Sequence, residues 1–218
     1  MKNSKHNIQK QGLGNAPVGA TFLVTCVLNG ALSSATLTEE RSNYSINTLN
    51  AVSTFTAKQQ LENYKDLRDR YRVVDEMLHQ NKELDSLSSS EVARGLLARI
   101  ESFHMRYYKL LALTIMPNHF QMLIDTSVQI RSILEPGEVP NDYVHLEDIL
   151  SKIKKTSSRY IAHQTGVKSE NVWESTNFVI YIPNEKVLKN EMSYLANNPV
   201  KAGLVKSISD HPFTYISH

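Results

Sequence analysis

In the run Ile115-Met116-Pro117-Asn118-His119-Phe120-Gln121-Met122-Leu123-Ile124 a histidine and an amide stand two residues apart inside an apolar stretch. Residues two apart on a strand share a face. His119 and Gln121 therefore point together while Phe120 and Met122 point to the other side, an arrangement that can hold one cation on the surface of a sheet. Tyr194 and Asn198 form a second pair, four apart in a helical segment and so one turn from each other on one face. Alone, that pair reads more readily as the edge tyrosine and C-cap of an ordinary helix.

Strands and helices have to deliver these side chains, and periodicity marks them. Phe22-Leu23-Val24-Thr25-Cys26-Val27-Leu28 is short, apolar and β-branched enough for a buried strand. Residues 33–53 are rich in Ser, Thr, Asn and Glu without a period and read as loop. Thr56 sits where an N-cap would, ahead of Leu61, Tyr64, Leu67, Tyr71, Val74 and Leu78 at three- and four-residue steps. A second helix is expected from 90 to about 103, capped by a serine at 88–90, with Glu91 in its first turn and Val92, Leu96, Leu97 and Ile100 on one face. Residues 107–116 read as a strand, Pro117-Asn118 as a turn, and 119–125 as the returning strand. Pro136-Gly137 and Pro140-Asn141 mark loops. Val187, Leu188, Met192, Leu195 and Ala196 give a last helix from Asn184, which Pro199 should end near Asn198 before Gly203 turns the chain.

The chain has 218 residues, 41% hydrophobic and 21% charged, enough for one substantial core. Its net charge of +2 is too small to announce a nucleic-acid partner, so any basic surface must be local. One stretch qualifies: residues 151–168 hold Lys152, Lys154, Lys155, Arg159 and Lys168 and no acid. It reads as a solvated helix face or as a phosphate-tracking helix, with Ser157, Ser158 and Tyr160 able to add hydrogen bonds. Trp173 could stack a base or anchor the core. The lone cysteine, Cys26, excludes an internal disulfide and a cysteine-based zinc cage. A lysine-bearing start precedes an apolar segment, but Thr21, Thr25 and Asn29 interrupt it and the leader is long for a signal peptide, so a cytoplasmic protein is expected. Nothing approaches the length of a membrane span.

Taken together, residues 116–124 and the later block Tyr194-Leu195-Ala196-Asn197-Asn198-Pro199-Val200-Lys201-Ala202-Gly203-Leu204-Val205 resemble the single-tyrosine HUH transposases, and more narrowly the REP-associated tyrosine transposases, relatives of the IS200-like enzymes. The likeness covers much of the chain: 22–32 as first strand, 107–125 as the metal-strand region, 149–160 as the basic helix, Trp173, and Asp210-His211-Pro212-Phe213 as the closing aromatic segment. Residues 1–16 read as a polar leader and 17–218 as one such domain, with a poorly matching insertion at about 33–80. The resemblance implies an α+β fold, ferredoxin-like, with an antiparallel sheet and helices packed mainly on one face.

It also implies roles. Tyr194 matches the nucleophile that attacks a DNA phosphodiester to give a covalent phosphotyrosine. His119 and Asn198 match metal ligands, with Gln121 where relatives carry a second histidine. A glutamine offers a neutral carbonyl oxygen, which Mg²⁺ or Mn²⁺ accepts, but three neutral ligands should bind weakly until DNA arrives. Lys152, Lys154, Lys155, Arg159, Trp173 and Lys201 are the expected contacts to single-stranded or hairpin DNA. The implied activity is metal-dependent nicking and strand transfer by a monomer or homodimer, with no membrane partner. The alternative is a repurposed, catalytically weak DNA- or RNA-binding protein on the same fold. Tyr160 is a second hydroxyl on the basic helix, with only Gln164 four residues on as a ligand-capable partner.

Overall fold

A computed structural model describes residues 8–10, 16–41, 43–44, 49, 51–130 and 138–217. Most of the polar leader and the Pro136-Gly137 loop lie outside them. The described elements are, in chain order, β1 (Ile8–Lys10), β2 (Thr21–Leu28), α1 (Ser34–Arg41), α2 (Ala57–Gln80), α3 (Ser90–Glu101), β3 (Lys109–Met116), β4 (His119–Asp125), β5 (Glu138–Pro140), α4 (Leu146–Thr165), β6 (Trp173–Tyr181), α5 (Glu185–Lys201) and β7 (Thr214–Ile216). A short helix, α1, thus occupies part of the stretch expected to be loop.

Five strands form one antiparallel sheet in the order β6-β2-β4-β3-β7, while β1 and β5 pair separately. Leaving out the short edge strand β7, the order β6-β2-β4-β3 is that of a ferredoxin-like fold, and the α+β class is as expected. The helices, expected mainly on one face, divide between both. On one side α3 and α4 cover Phe22, Val24, Cys26, Phe120, Met122 and Ile124. On the other, α2 and α5 cover Leu23, Val27, Ala112, Leu123, Phe178 and Ile180. The reason lies in the strands themselves: β2 and β4 are buried on both faces, so each face needs a cover.

Local chemistry sets the helix ends. Thr56 caps α2 through a reciprocal box with Gln59, in which the Thr56 hydroxyl accepts from the Gln59 N–H and the Gln59 side chain accepts from the Thr56 N–H. Gly166, at φ 76°, closes α4 in the left-handed region. Helix α5 differs from expectation, because it runs through Pro199 to Lys201. Proline in a last turn forfeits one hydrogen bond, and the later carbonyls still find partners: Asn198 O accepts from Ala202 N at 2.9 Å and Pro199 O from Leu204 N at 2.9 Å. No described helix is long and apolar enough to cross a membrane.

Candidate active site

Strand β4 presents His119, Gln121 and Leu123 to the face covered by α2 and α5, with Gln121 in register between Thr25 of β2 and Thr114 of β3. The predicted sharing of a face by His119 and Gln121 is what the strand delivers. Helix α5 lays Asn198 and Tyr194 over the same region, Asn198 fully buried and Tyr194 half-buried. All four residues singled out by the motifs therefore meet on one side of the sheet.

Three more come from α2, where the sequence carries no motif. Tyr71, Asp75 and His79 are successive i,i+4 neighbours and form one ridge facing the strand. The Tyr194 hydroxyl donates to Asp75 Oδ2, and Gln121 Nε2 donates to Asp75 Oδ1 at 3.0 Å. Gln121 Nε2 also lies 2.5 Å from the Tyr71 oxygen, which accepts from the Thr25 hydroxyl at 2.8 Å. Asn198 Nδ2 donates to Gln121 Oε1 at 2.5 Å. Gln121 is thus the hub of a buried network, its oxygen and nitrogen both engaged with side chains.

The proton of His119 can be placed. Asn118 Nδ2 donates to the carbonyls of Leu78 (2.9 Å) and Asn81 (3.1 Å), which leaves its Oδ1 as an acceptor only, 2.8 Å from His119 Nδ1. His119 must then carry its proton on Nδ1, so Nε2 presents a lone pair. That Nε2 is buried without a hydrogen-bond partner among the described residues, and so is His79 Nε2. Burial holds the His119 imidazole neutral, pulling its pKa down to about 4 against the pull of Asp75. His79 is also lowered, by burial.

The ligand set expected from the sequence is partly engaged with itself. Gln121 and Asn198 bond to each other, and only the Asn198 Oδ1 and His119 Nε2 atoms are without partners among the described residues. A second group stands beside it: one atom from each of Asp75, His79 and His119 lies within 4.8 Å of the others.

Around Tyr194 the electrostatics are cationic. The Arg68 guanidinium lies 4.0 Å from the ring centroid and Lys201 Nζ lies 4.1 Å from it. Arg68 is itself buried and held by Glu191 at 2.8 Å, and Glu191 also accepts from Tyr64 at 2.5 Å. Burial and the Asp75 carboxylate raise the Tyr194 pKa, with Arg68 pulling the other way, so the phenol is protonated at neutral pH.

The expected DNA-contacting residues divide. Lys152, Lys155 and Arg159 are exposed on α4, on the face of the sheet away from Tyr194. Lys154 instead donates to the Glu174 carbonyl at 2.6 Å and staples α4 to β6. Trp173, expected as a base-stacking surface, is 7% exposed, packs edge-on against Phe120 and donates to Ser157 Oγ at 3.0 Å. It anchors the core because β6 points it under α4, toward the apolar face. Tyr160 donates to the Glu91 carbonyl on that same far face, away from any ligand described above.

No family model and no curated protein matches the chain. Among solved structures, that of a REP-associated tyrosine transposase bound to a REP hairpin aligns over 94% of this chain and 82% of its own, with a TM-score of 0.51 at 17% identity. A putative transposase from Deinococcus radiodurans aligns over 87% of this chain and 98% of its own, at a TM-score of 0.37 and 13% identity. The chain shares the fold of the first of these, the α+β architecture of a tyrosine transposase.

Proposed function

We propose that this protein nicks single-stranded DNA and transfers the cut strand through a covalent bond to Tyr194. The observation that carries the reading is the hydrogen bond from the Tyr194 hydroxyl to Asp75, made beside two imidazole Nε2 atoms that have no hydrogen-bond partner among the described residues and beneath two cations. The likeness to a transposase fold supports it.

The Tyr194 oxygen attacks the phosphorus as its proton passes to Asp75, forming the tyrosyl phosphodiester. One P–O bond to the neighbouring sugar breaks, and that oxygen takes up a proton and leaves as a free hydroxyl. Because the ester bond is kept in the phosphotyrosine, a second strand's hydroxyl can reverse the step and complete transfer. Arg68 and Lys201 favour the negative charge that develops on the phenol oxygen. A divalent cation held by the imidazoles and Asp75 would supply polarisation of the phosphate. Gln121 and Tyr71 orient Asp75, and Asn198 orients Gln121.

A hairpin oligonucleotide with single-stranded flanks, incubated with the protein and Mn²⁺, should give a covalent adduct that survives denaturing electrophoresis. Tyr194→Phe should abolish it, and an adduct of undiminished yield would remove Tyr194 from the role. The engagement of Gln121 by Asn198 and Asp75 favours a second reading, a nucleic-acid-binding protein with little catalysis. Tight hairpin binding by the wild type with no adduct under any divalent cation would support that one.

A further inference from the structure

We propose that this protein holds its divalent cation with Asp75, His79 and His119, so that helix α2 supplies two ligands and Gln121 serves as a positioning residue. The purpose of such a site rests on the nuclease reading, whereas cation binding does not.

Geometry comes first. Ligand atoms bound at about 2.1 Å to one cation sit roughly 3 to 4 Å apart. One atom from each of the three side chains already lies within 4.8 Å of the others, so small side-chain adjustments complete the set. The Nε2 atoms of His79 and His119 are both buried without a hydrogen-bond partner among the described residues, although their rings lie 6.2 Å apart. Two neighbouring buried ring nitrogens without hydrogen bonds are costly, His79 Nε2 standing 3.7 Å from Asp75 Oδ2, and coordination relieves both.

The surroundings are those of a prepared site. Asn118 fixes the His119 tautomer that exposes the Nε2 lone pair. Asp75 accepts from Gln121 and Tyr194, which orients the carboxylate as outer partners orient metal ligands elsewhere. A cavity of about 200 Å³ has both imidazoles in its wall and gives a cation a way in, with Lys82 beside it for an accompanying phosphate.

The donor set also chooses the metal. Two imidazoles and one carboxylate favour Mn²⁺, Co²⁺ or Zn²⁺ over Mg²⁺, which prefers oxygen and keeps its waters. With Asp75 touching both the site and the Tyr194 hydroxyl, a cation there lies next to the nucleophile. The arrangement explains how a chain with glutamine at position 121 keeps a charged ligand set: His79 replaces the second strand histidine, and Asp75 adds the negative charge that three neutral ligands lack.

The test is titration of Co²⁺ into metal-free protein without DNA, read by visible absorption. Wild type should develop a cobalt band that excess Mg²⁺ does not displace. Asp75→Asn and His79→Ala should each weaken binding by at least tenfold, His79→Gln serving as the milder change if melting curves show that the alanine variant is misfolded. Asn198→Ala, which removes no proposed ligand, should weaken binding less than either. Wild type without a cobalt band, or His79 variants that bind normally while Asn198→Ala does not, would overturn the assignment. Adduct formation on the hairpin is scored separately: a cobalt band without adduct keeps the metal site and removes the nuclease reading, and an adduct without cobalt binding does the opposite.

Discussion

His119 is fully buried, neutral, and carries a lone pair that meets no hydrogen bond among the described residues. In the metal-free protein that has a measurable consequence. Its pKa stands near 4 in the folded state against 6.5 when free, so between those values the unfolded chain binds the extra proton. Stability is therefore complete above about pH 6.5 and declines as pH falls toward 4. The loss attributable to His119 is roughly 3 kcal/mol at most, and burial of His79 adds in the same direction. Urea midpoints at pH 7.5 and pH 4.5, with chelator present, should differ by that order, and His119→Gln should flatten the difference. Equal slopes in the two proteins would contradict the account. At this scale the sequence was informative where chemistry repeats a motif: His119, Gln121, Tyr194 and Asn198 could all be read and do meet. Asp75 and His79 could not, because on α2 they sit between Tyr71, Val74 and Leu78. In an amphipathic pattern, an acid and a histidine at that boundary are indistinguishable from solvated charges. Their purpose comes from the strand opposite, which no local window contains.

Elements show the same division between local and tertiary causes. The start of α2 at a Thr56 cap and the strand 119–125 were legible, since caps and alternation are local signals. The span of α5 through Pro199 was not, because the proline rule describes the isolated chain and the packed last turn tolerates one lost bond. One element contact lends itself to a sharp test. Helices α3 and α4 meet where Gly95 faces the ring of Tyr160, and a Cβ on Gly95 would fall well inside van der Waals contact with that ring. The Arg99 guanidinium lies 4.1 Å from the centroid of that ring and donates to the carbonyls of Gly95 and Thr156, which helps hold the tyrosine in place. An exposed Gly→Ala change in a helix ordinarily gains up to about 1 kcal/mol. Here Gly95→Ala should instead cost about 1–3 kcal/mol through overpacking. Thermal denaturation reads the sign directly. Adding Tyr160→Leu should recover most of the loss, and a stabilised single variant would mean that the helices sit further apart than described.

Over the whole molecule, the sheet separates two groups of residues that the sequence reading assigned to one activity. The basic helix α4 and Tyr194 lie on opposite faces, because both faces of β2 and β4 are buried and each recruited its own pair of helices. On the α4 side a groove of about 880 Å³ runs between the helix and the edge strand β6, lined by Arg41, Lys154 and Lys155 and also by Glu147, Glu170 and Glu174. A nucleic acid that used this groove and also reached Tyr194 would have to pass around an edge of the sheet. Positioning and chemistry should then separate experimentally. Each phosphate contact on a single strand contributes about 0.7 to the slope of log affinity against log salt. Replacing Lys152, Lys155 and Arg159 together by alanine should therefore reduce that slope by about 2 and weaken hairpin binding at low salt. At saturating hairpin the same variant should form the Tyr194 adduct at close to the wild-type rate, since none of the three side chains is on the face that carries Tyr194. An unchanged slope would show that DNA avoids α4 and approaches from the Tyr194 face alone. A lost adduct at saturation would show that the far face controls the chemistry, and that the two sides of the sheet act as one binding surface.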